Sequence, residues 1–259
     1  NLGPGAYRGK FSISDLAPLT NTLQRPIEFT IFGITVAEDG QSVTMANAAS
    51  GFTLQPHKSE QLQLPRRWAK LTTNVPGDFL YPREFTDVES IEDTASRKSV
   101  LVTANTMNID EEPADTAKLE YELTVRDDTP ALEVVSRSIN VSDETITVNP
   151  NWGWLGCPYY YTPEGKGEWT SSGDNKYSDI GKVNWLWLAP QREDSPGLLW
   201  VAPHKFGEFT GGSILLYGPR VKAGTGEYSE MHNFFAPADS PEEAEQIYSY
   251  CRECAQPLQ

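Results

Sequence analysis

Basic residues are scarce in this chain: 21 Lys and Arg stand against 36 Asp and Glu, for a formal charge of −15. A surface of that sign repels a phosphate backbone or an anionic membrane, which excludes nucleic acid as a partner. It also disfavours a strongly anionic polysaccharide unless the few cations gather in one groove. Cysteine is scarcer, at three, an odd number far too small for a disulfide framework, so it does not settle the compartment. No apolar run reaches about 18 residues, so no spanning helix is expected. The opening NLGPGAYRGK lacks the charged-then-apolar pattern of a signal peptide. A start at Asn1 rather than Met suggests a processed chain, secreted or imported into an organelle. Repeats, low-complexity segments, a phosphate-cradling glycine loop, a Gly-x-Ser-x-Gly elbow and a His-Glu-x-x-His helix are all absent, and no cofactor is expected.

What is present is mostly short strand. Residues 1–25 mix glycine and proline with few periodic apolar positions and read as an extended lead-in. Ile27, Phe29 and Ile31 then alternate with polar neighbours, Glu38-Asp39-Gly40 turns the chain, and Val43 and Met45 resume, which reads as a hairpin. His57, just after Pro56, is expected in a loop. Residues 65–98 look least regular, a long connection with one short helix over 85–91; Arg66, Arg67, Arg83 and Trp68 within it suit a carboxylate or a ring face. Leu119, Tyr121, Leu123 and Val125 alternate, Asp127-Asp128-Thr129-Pro130 turns, Leu132 begins the return, and Ser142-Asp143-Glu144 turns again toward Ile146 and Val148. That is a three-strand meander. The acidic turn pairs belong there for turn and solubility reasons and are rejected as catalytic dyads. Ser240 with Glu243 forms a capping box and Pro241 takes the first helical position, predicting a single helix within 240–254. Many short strands and one terminal helix give an all-β antiparallel sandwich, expected as one domain over residues 1–259.

Residues 149–188 concentrate the indoles: Trp152, Trp154, Trp169, Trp185 and Trp187. Indoles at this density either fill a β-sheet core or offer flat faces to the C–H side of a sugar ring. With Tyr159 and Arg67 they form the candidate saccharide-binding set. Among titratable groups, His204 stands near Lys205 and Glu208, and His232 near Glu230. Cys251-Arg252-Glu253-Cys254 is a CxxC lacking two suitably spaced partners for zinc, and residues 173–179 lack the ligand order of a calcium loop, so no metal is expected. Asn140-Val141-Ser142 is a glycosylation triplet of little weight.

The run YELTVRDDTPALEVVSRSINVSDETITVNPNWGWLGCPYY, residues 121–160, resembles the galactose mutarotase-like β-supersandwich of aldose 1-epimerases, several polysaccharide lyases and carbohydrate-binding domains. The resemblance implies that fold and an association with saccharides. The family's His-Pro-Tyr-Phe-type motif corresponds to Cys157-Pro158-Tyr159-Tyr160, so a thiol stands where the epimerases use a histidine on the ring-oxygen proton, and a thiol donates poorly. Lyases of the fold abstract a proton with His or Tyr while a cation neutralises the substrate carboxylate, which makes Tyr160, His204 and His232 the implied catalytic candidates. Two classes follow: a saccharide-binding or saccharide-processing domain, and a silent scaffold with protein partners in a larger assembly.

Overall fold

The computed structural model describes residues 5–13, 23–31, 33–36, 41–46, 51–57, 60–64, 67–94, 96–153, 157, 159–168, 184–190, 196–202 and 216–254. It is an antiparallel all-β structure closed by one helix. Among the described residues the first two strands, β1 (Gly5–Ile13) and β2 (Leu23–Ile31), pair only with each other. The expected lead-in therefore contains a strand, and the 27–31 segment finds its partner upstream rather than at Val43. The hairpin around residues 38–40 exists one strand later, between β3 (Gly33–Val36) and β4 (Val43–Ala46).

Two sheets follow. The smaller runs from β3 and β4 through β5 (Gly51–Leu54), β6 (Leu62–Leu64) and β7 (Arg67–Val75), each paired with the next. The larger starts with β8 (Asp78–Asp93), β9 (Arg97–Met107), β10 (Pro113–Arg126) and β11 (Leu132–Asn140), again sequential neighbours. The next strand, β12 (Ile146–Gly153), leaves that sheet and pairs with β7. Then β13 (Tyr159–Thr162), β14 (Gly165–Glu168), β15 (Trp185–Leu188) and β16 (Gly197–Val201) extend the larger sheet. Short β17 (Leu216–Tyr217) and β18 (Val221–Ala223) sit on β12, while β19 (Tyr228–Ala238) fits between β16 and β11. The helix α1 (Pro241–Cys254) follows directly. No helix among the described residues is long and apolar enough to cross a membrane.

The sequence reading is corrected at two further places. Residues 85–91 are strand, not helix. Phe85 and Val88 both pack on the interior although they are an odd number of residues apart. A regular strand would put them on opposite faces, and the register shift between Phe85 and Asp87 is what brings them together. Three such shifts along β8 erase the period-2 signal. The second correction concerns the meander: the turn after Asn140 crosses between sheets instead of closing a hairpin. Asn140 anchors that crossing, donating from Nδ2 to the Glu144 carbonyl at 2.7 Å and the Ala223 carbonyl at 2.8 Å. Its side chain is wholly buried, so the triplet is no glycan acceptor in the folded chain.

The sandwich core lies between the sheets. Met45, Phe52, Leu54, Leu71 and Trp152 from one side meet Val102, Leu119, Tyr121, Leu188, Trp200 and Phe235 from the other. A second apolar layer lies on the outer side of the larger sheet, where Trp185, Trp187, Leu199, Val201 and Phe234 are covered with Ala244 and Cys251 of α1. Burial on both faces explains why WLWL and GLLWV read as continuous apolar runs. The Ser240 Oγ accepts from the Glu243 N–H at 3.2 Å, while the Glu243 carboxylate accepts from the Asp239 N–H at 2.6 Å, so the expected cap starts the helix.

Three buried indole N–H groups have acceptors: Trp152 donates to Ser136 Oγ (3.2 Å), Trp187 to the Ala238 carbonyl (2.9 Å) and Trp200 to Asn233 Oδ1 (2.9 Å). Trp152→Ala is expected to lower the unfolding free energy by about 3–5 kcal/mol, as for other buried indoles. Tyr228→Ala, which truncates a ring 51% exposed, is expected to change it by less than about 0.5 kcal/mol. Urea unfolding followed by circular dichroism checks both.

Candidate functional site

The charged groups collect on the outer face of the larger sheet. Strand alternation sends Leu119, Tyr121, Leu123 and Val125 of β10 into the core, leaving Glu120, Glu122, Thr124 and Arg126 on the other side. In β11 and β19 the same rule leaves Glu133, Arg137, Glu230 and His232 outward. The registers place Glu120 opposite Arg137 and Arg137 opposite Glu230.

One guanidinium thus serves three carboxylates. Arg137 Nη1 donates to Glu120 Oε1 at 2.7 Å, Nη2 to Glu122 Oε2 at 3.1 Å and Nε to Glu230 Oε2 at 2.6 Å. Burial works against the Arg137 charge, but the hydrogen bonds to Glu120, Glu230 and Glu122 outweigh it and hold the proton more tightly than usual. The group keeps two more carboxylates than guanidinium, and the exposed ring of Tyr228 lies beneath the guanidinium at 5.9 Å. Further along the face, His232 Nε2 meets Glu133 Oε1 at 2.9 Å and Arg126 Nη2 meets Glu133 Oε2 at 3.4 Å. Burial raises the Glu133 pKa, yet the His232 hydrogen bond and the charges of His232 and Arg126 win, leaving it below the ordinary carboxylate value.

No protein-family model matches the chain, and no curated protein matches it. Among solved structures, the GH36 α-galactosidase AgaB from Geobacillus stearothermophilus aligns with a TM-score of 0.49 at 7% identity, over 81% of this chain. The matched part is 41% of that enzyme's length, and a likeness at this level carries no argument about chemistry.

Of the expected catalytic candidates, His232 lies on the ionic face. Tyr160 does not: it pairs with Leu188, packs toward the sandwich interior and lies over Gly167, where any Cβ would collide with its ring. Tyr160 and His232 are therefore on opposite faces of one sheet and do not converge. His204 lies outside the described residues, as do Trp154, Pro158, Trp169 and the 173–179 loop, and the Arg67 side chain is likewise outside them. Trp152, Trp185 and Trp187 are 1%, 5% and 3% exposed, so of the two uses of an indole these three have core filling. Cys157 is buried with Trp152 in the core between the sheets. Tyr159 and Tyr161 are half-buried on the outer face, their rings 6.2 and 5.8 Å from Trp187, with the Lys166 ammonium 4.4 Å above Tyr159. His57 is exposed in a loop, its Nδ1 accepting from the Glu60 N–H at 3.0 Å.

The sequence reading missed Glu120, Glu122, Arg126, Glu133, Arg137 and Tyr228 as a group. The signal was available, because a turn at Asp127-Asp128-Thr129-Pro130 puts Glu120 across from Arg137.

Arg137→Met leaves Glu120, Glu122 and Glu230 facing one another without their cation. It is expected to cost about 1–3 kcal/mol, between the values for exposed and buried pairs, and less in high salt. Glu133, with its lowered pKa, contributes stability that is complete above the ordinary value of 4.5 and is lost as the pH falls through its folded-state value. Glu133→Gln should flatten that acid limb, as read from unfolding midpoints measured across the acid range.

Proposed function

We propose that residues 1–259 form one mutarotase-like domain that binds a neutral saccharide on the outer face of its larger sheet. The observation that carries this reading is the carboxylate-rich row around Arg137 with the open Tyr228 ring at its end. Carboxylates accept from sugar hydroxyls, a guanidinium donates to hydroxyl and ring oxygens, and an aromatic face takes the C–H side of a pyranose. Strands fix all these groups in advance, so little ordering cost attends binding.

Charge decides the saccharide class. A row with surplus carboxylates repels a uronate, and both Arg126 and Arg137 already face carboxylates of the chain. That argues against a lyase, which needs a cation for the substrate's own carboxylate. It also argues against epimerase chemistry of the family type that the motif position is a buried cysteine. The His232–Glu133 pair is an acid/base couple by geometry, but Tyr160 does not join it. Binding is therefore preferred to catalysis. The scaffold reading is favoured by one specific observation, the burial of Trp152, Trp185 and Trp187 in the domain's own core.

Calorimetric titration with neutral oligosaccharides, with product formation followed in the same samples, tests the proposal. Saturable binding is expected, weakened about tenfold, or about 1.4 kcal/mol, by Tyr228→Ala or Glu230→Gln with the unfolding midpoint of Tyr228→Ala unchanged. Silence across the neutral panel overturns it in favour of the scaffold. Unsaturated product released from a uronate polymer overturns it in favour of a lyase.

A further inference from the structure

The outer face of the larger sheet continues past the Arg137 cluster onto β9 and β8. Residues paired across neighbouring strands share a face, so the registers trace two complete rows over it. One row runs Asp87, Thr103, Glu120, Arg137 and Glu230, and the next runs Glu89, Leu101, Glu122, Val135 and His232. The β8 ladder is regular from Asp87 to Glu89 although it is bulged on either side. Val88, between them, packs on the core, so both carboxylates point outward.

Three features of these rows bear on what the face would hold. The strand in the middle, β9, presents the half-buried Thr103 and Leu101 between a column of acids on β8 and another on β10. The strip between the columns is two strand spacings wide, about 10 Å. The two columns are also balanced differently. Glu120 and Glu122 face Arg137 at 2.7 and 3.1 Å, whereas the exposed Asp87 and Glu89 have no ion pair or side-chain hydrogen bond among the described residues. The guanidiniums next along the sheet are engaged elsewhere, Arg97 with Glu92 at 2.9 Å and Arg126 with Glu133 at 3.4 Å, and Lys118 lies beyond the rows, two residues before Glu120. Finally, Asp87 and Glu230 are four spacings apart, about 19 Å, which is longer than one sugar unit, and the open Tyr228 ring stands beyond Glu230 on the same face.

Exposed carboxylates without a counter-ion on an open sheet face are complemented by positive charge on the ligand. We infer, resting on the saccharide reading above, that the ligand is an amino-sugar oligomer: one unit lies neutral on Tyr228 and an unacetylated unit places its ammonium over the β9 strip. An ammonium has three N–H donors and here lies within reach of Asp87 and Glu89 on one side and of Glu120 and Glu122 on the other. Arg137 leaves lone pairs on both of the latter. Leu101 and the Thr103 methyl group give the C–H side of the ring an apolar floor. An N-acetyl group in that position brings no charge, and a uronate is repelled by both columns. Exposed acids also serve solubility, a role indifferent to which sugar is offered, so the test reads ligand preference.

The test is a calorimetric titration with short glucosamine oligomers and with their fully N-acetylated counterparts, at a pH where the amines are charged. The glucosamine oligomer is expected to bind about tenfold more tightly at low ionic strength, with the difference shrinking as salt is added. The double substitution Asp87→Asn, Glu89→Gln, at two exposed positions, should remove that preference and leave the affinity for the N-acetylated oligomer unchanged. Equal or tighter binding of the N-acetylated oligomer overturns the inference alone, and so does a preference that survives the double substitution. Failure of both oligomers to bind overturns the saccharide reading together with it. Oligolysine that binds as tightly and displaces the glucosamine oligomer overturns the inference in favour of a basic protein segment on this face.

Discussion

Phe235 is gripped from two sides inside the sandwich: its ring centroid lies 4.7 Å from that of Trp152 and 5.6 Å from that of Trp200. Both indoles also hydrogen-bond to the strands that flank the contact, Trp152 to Ser136 of β11 and Trp200 to Asn233 of β19. An indole satisfied at its N–H and packed over its whole area tolerates no shift of the strand beneath it. The β11–β19 register is thereby fixed. Because side chains alternate across a sheet, a slip of one residue would turn the ionic row inward and Phe235 outward. The alignment of Arg137 with Glu120 and Glu230 is thus a consequence of apolar packing on the opposite face, and the charged groups need not supply the energy that orders them.

How much of this was legible follows from the same alternation. The β10–β11 hairpin could be read because its core positions recur every second residue and its turn carries the residues such turns need. The neighbouring β8 could not, since its bulges put Phe85 and Val88 on one face at a spacing that mimics a helix. The destination of β12 was hidden for a different reason. A turn after Asn140 looks the same locally whether the next strand joins the same sheet or the opposite one, and the choice depends on β7, some seventy residues earlier. The indoles posed the hardest ambiguity: a core and a sugar platform ask for the same side chain, and only burial separates them. For Trp185 and Trp187 the covering element is α1, whose own apolar stripe was plain in the sequence while its docking place was not.

The candidate chemistry moved for physical reasons as well. Attention to the altered motif led toward Cys157 and Tyr160, yet both face the apolar interior, where a proton donor has no access to a hydrophilic substrate. His232 retained a carboxylate partner, but that partner is Glu133 from a strand almost a hundred residues away rather than the adjacent Glu230. Glu230 instead serves Arg137. Neighbours in a strand point to opposite faces only when one apart; two apart, as Glu230 and His232 are, they share a face and divide its partners.

The ratio of charges on that face is the remaining point of argument. Arg137 has five N–H donors and uses three of them on Glu230, Glu120 and Glu122, while each glutamate beyond the first adds repulsion together with desolvation. Three carboxylates beside an exposed tyrosine leave unused acceptor lone pairs in a fixed, partly dehydrated arrangement. Ligands that complement such a surface carry several hydroxyl donors on a rigid frame and no negative charge.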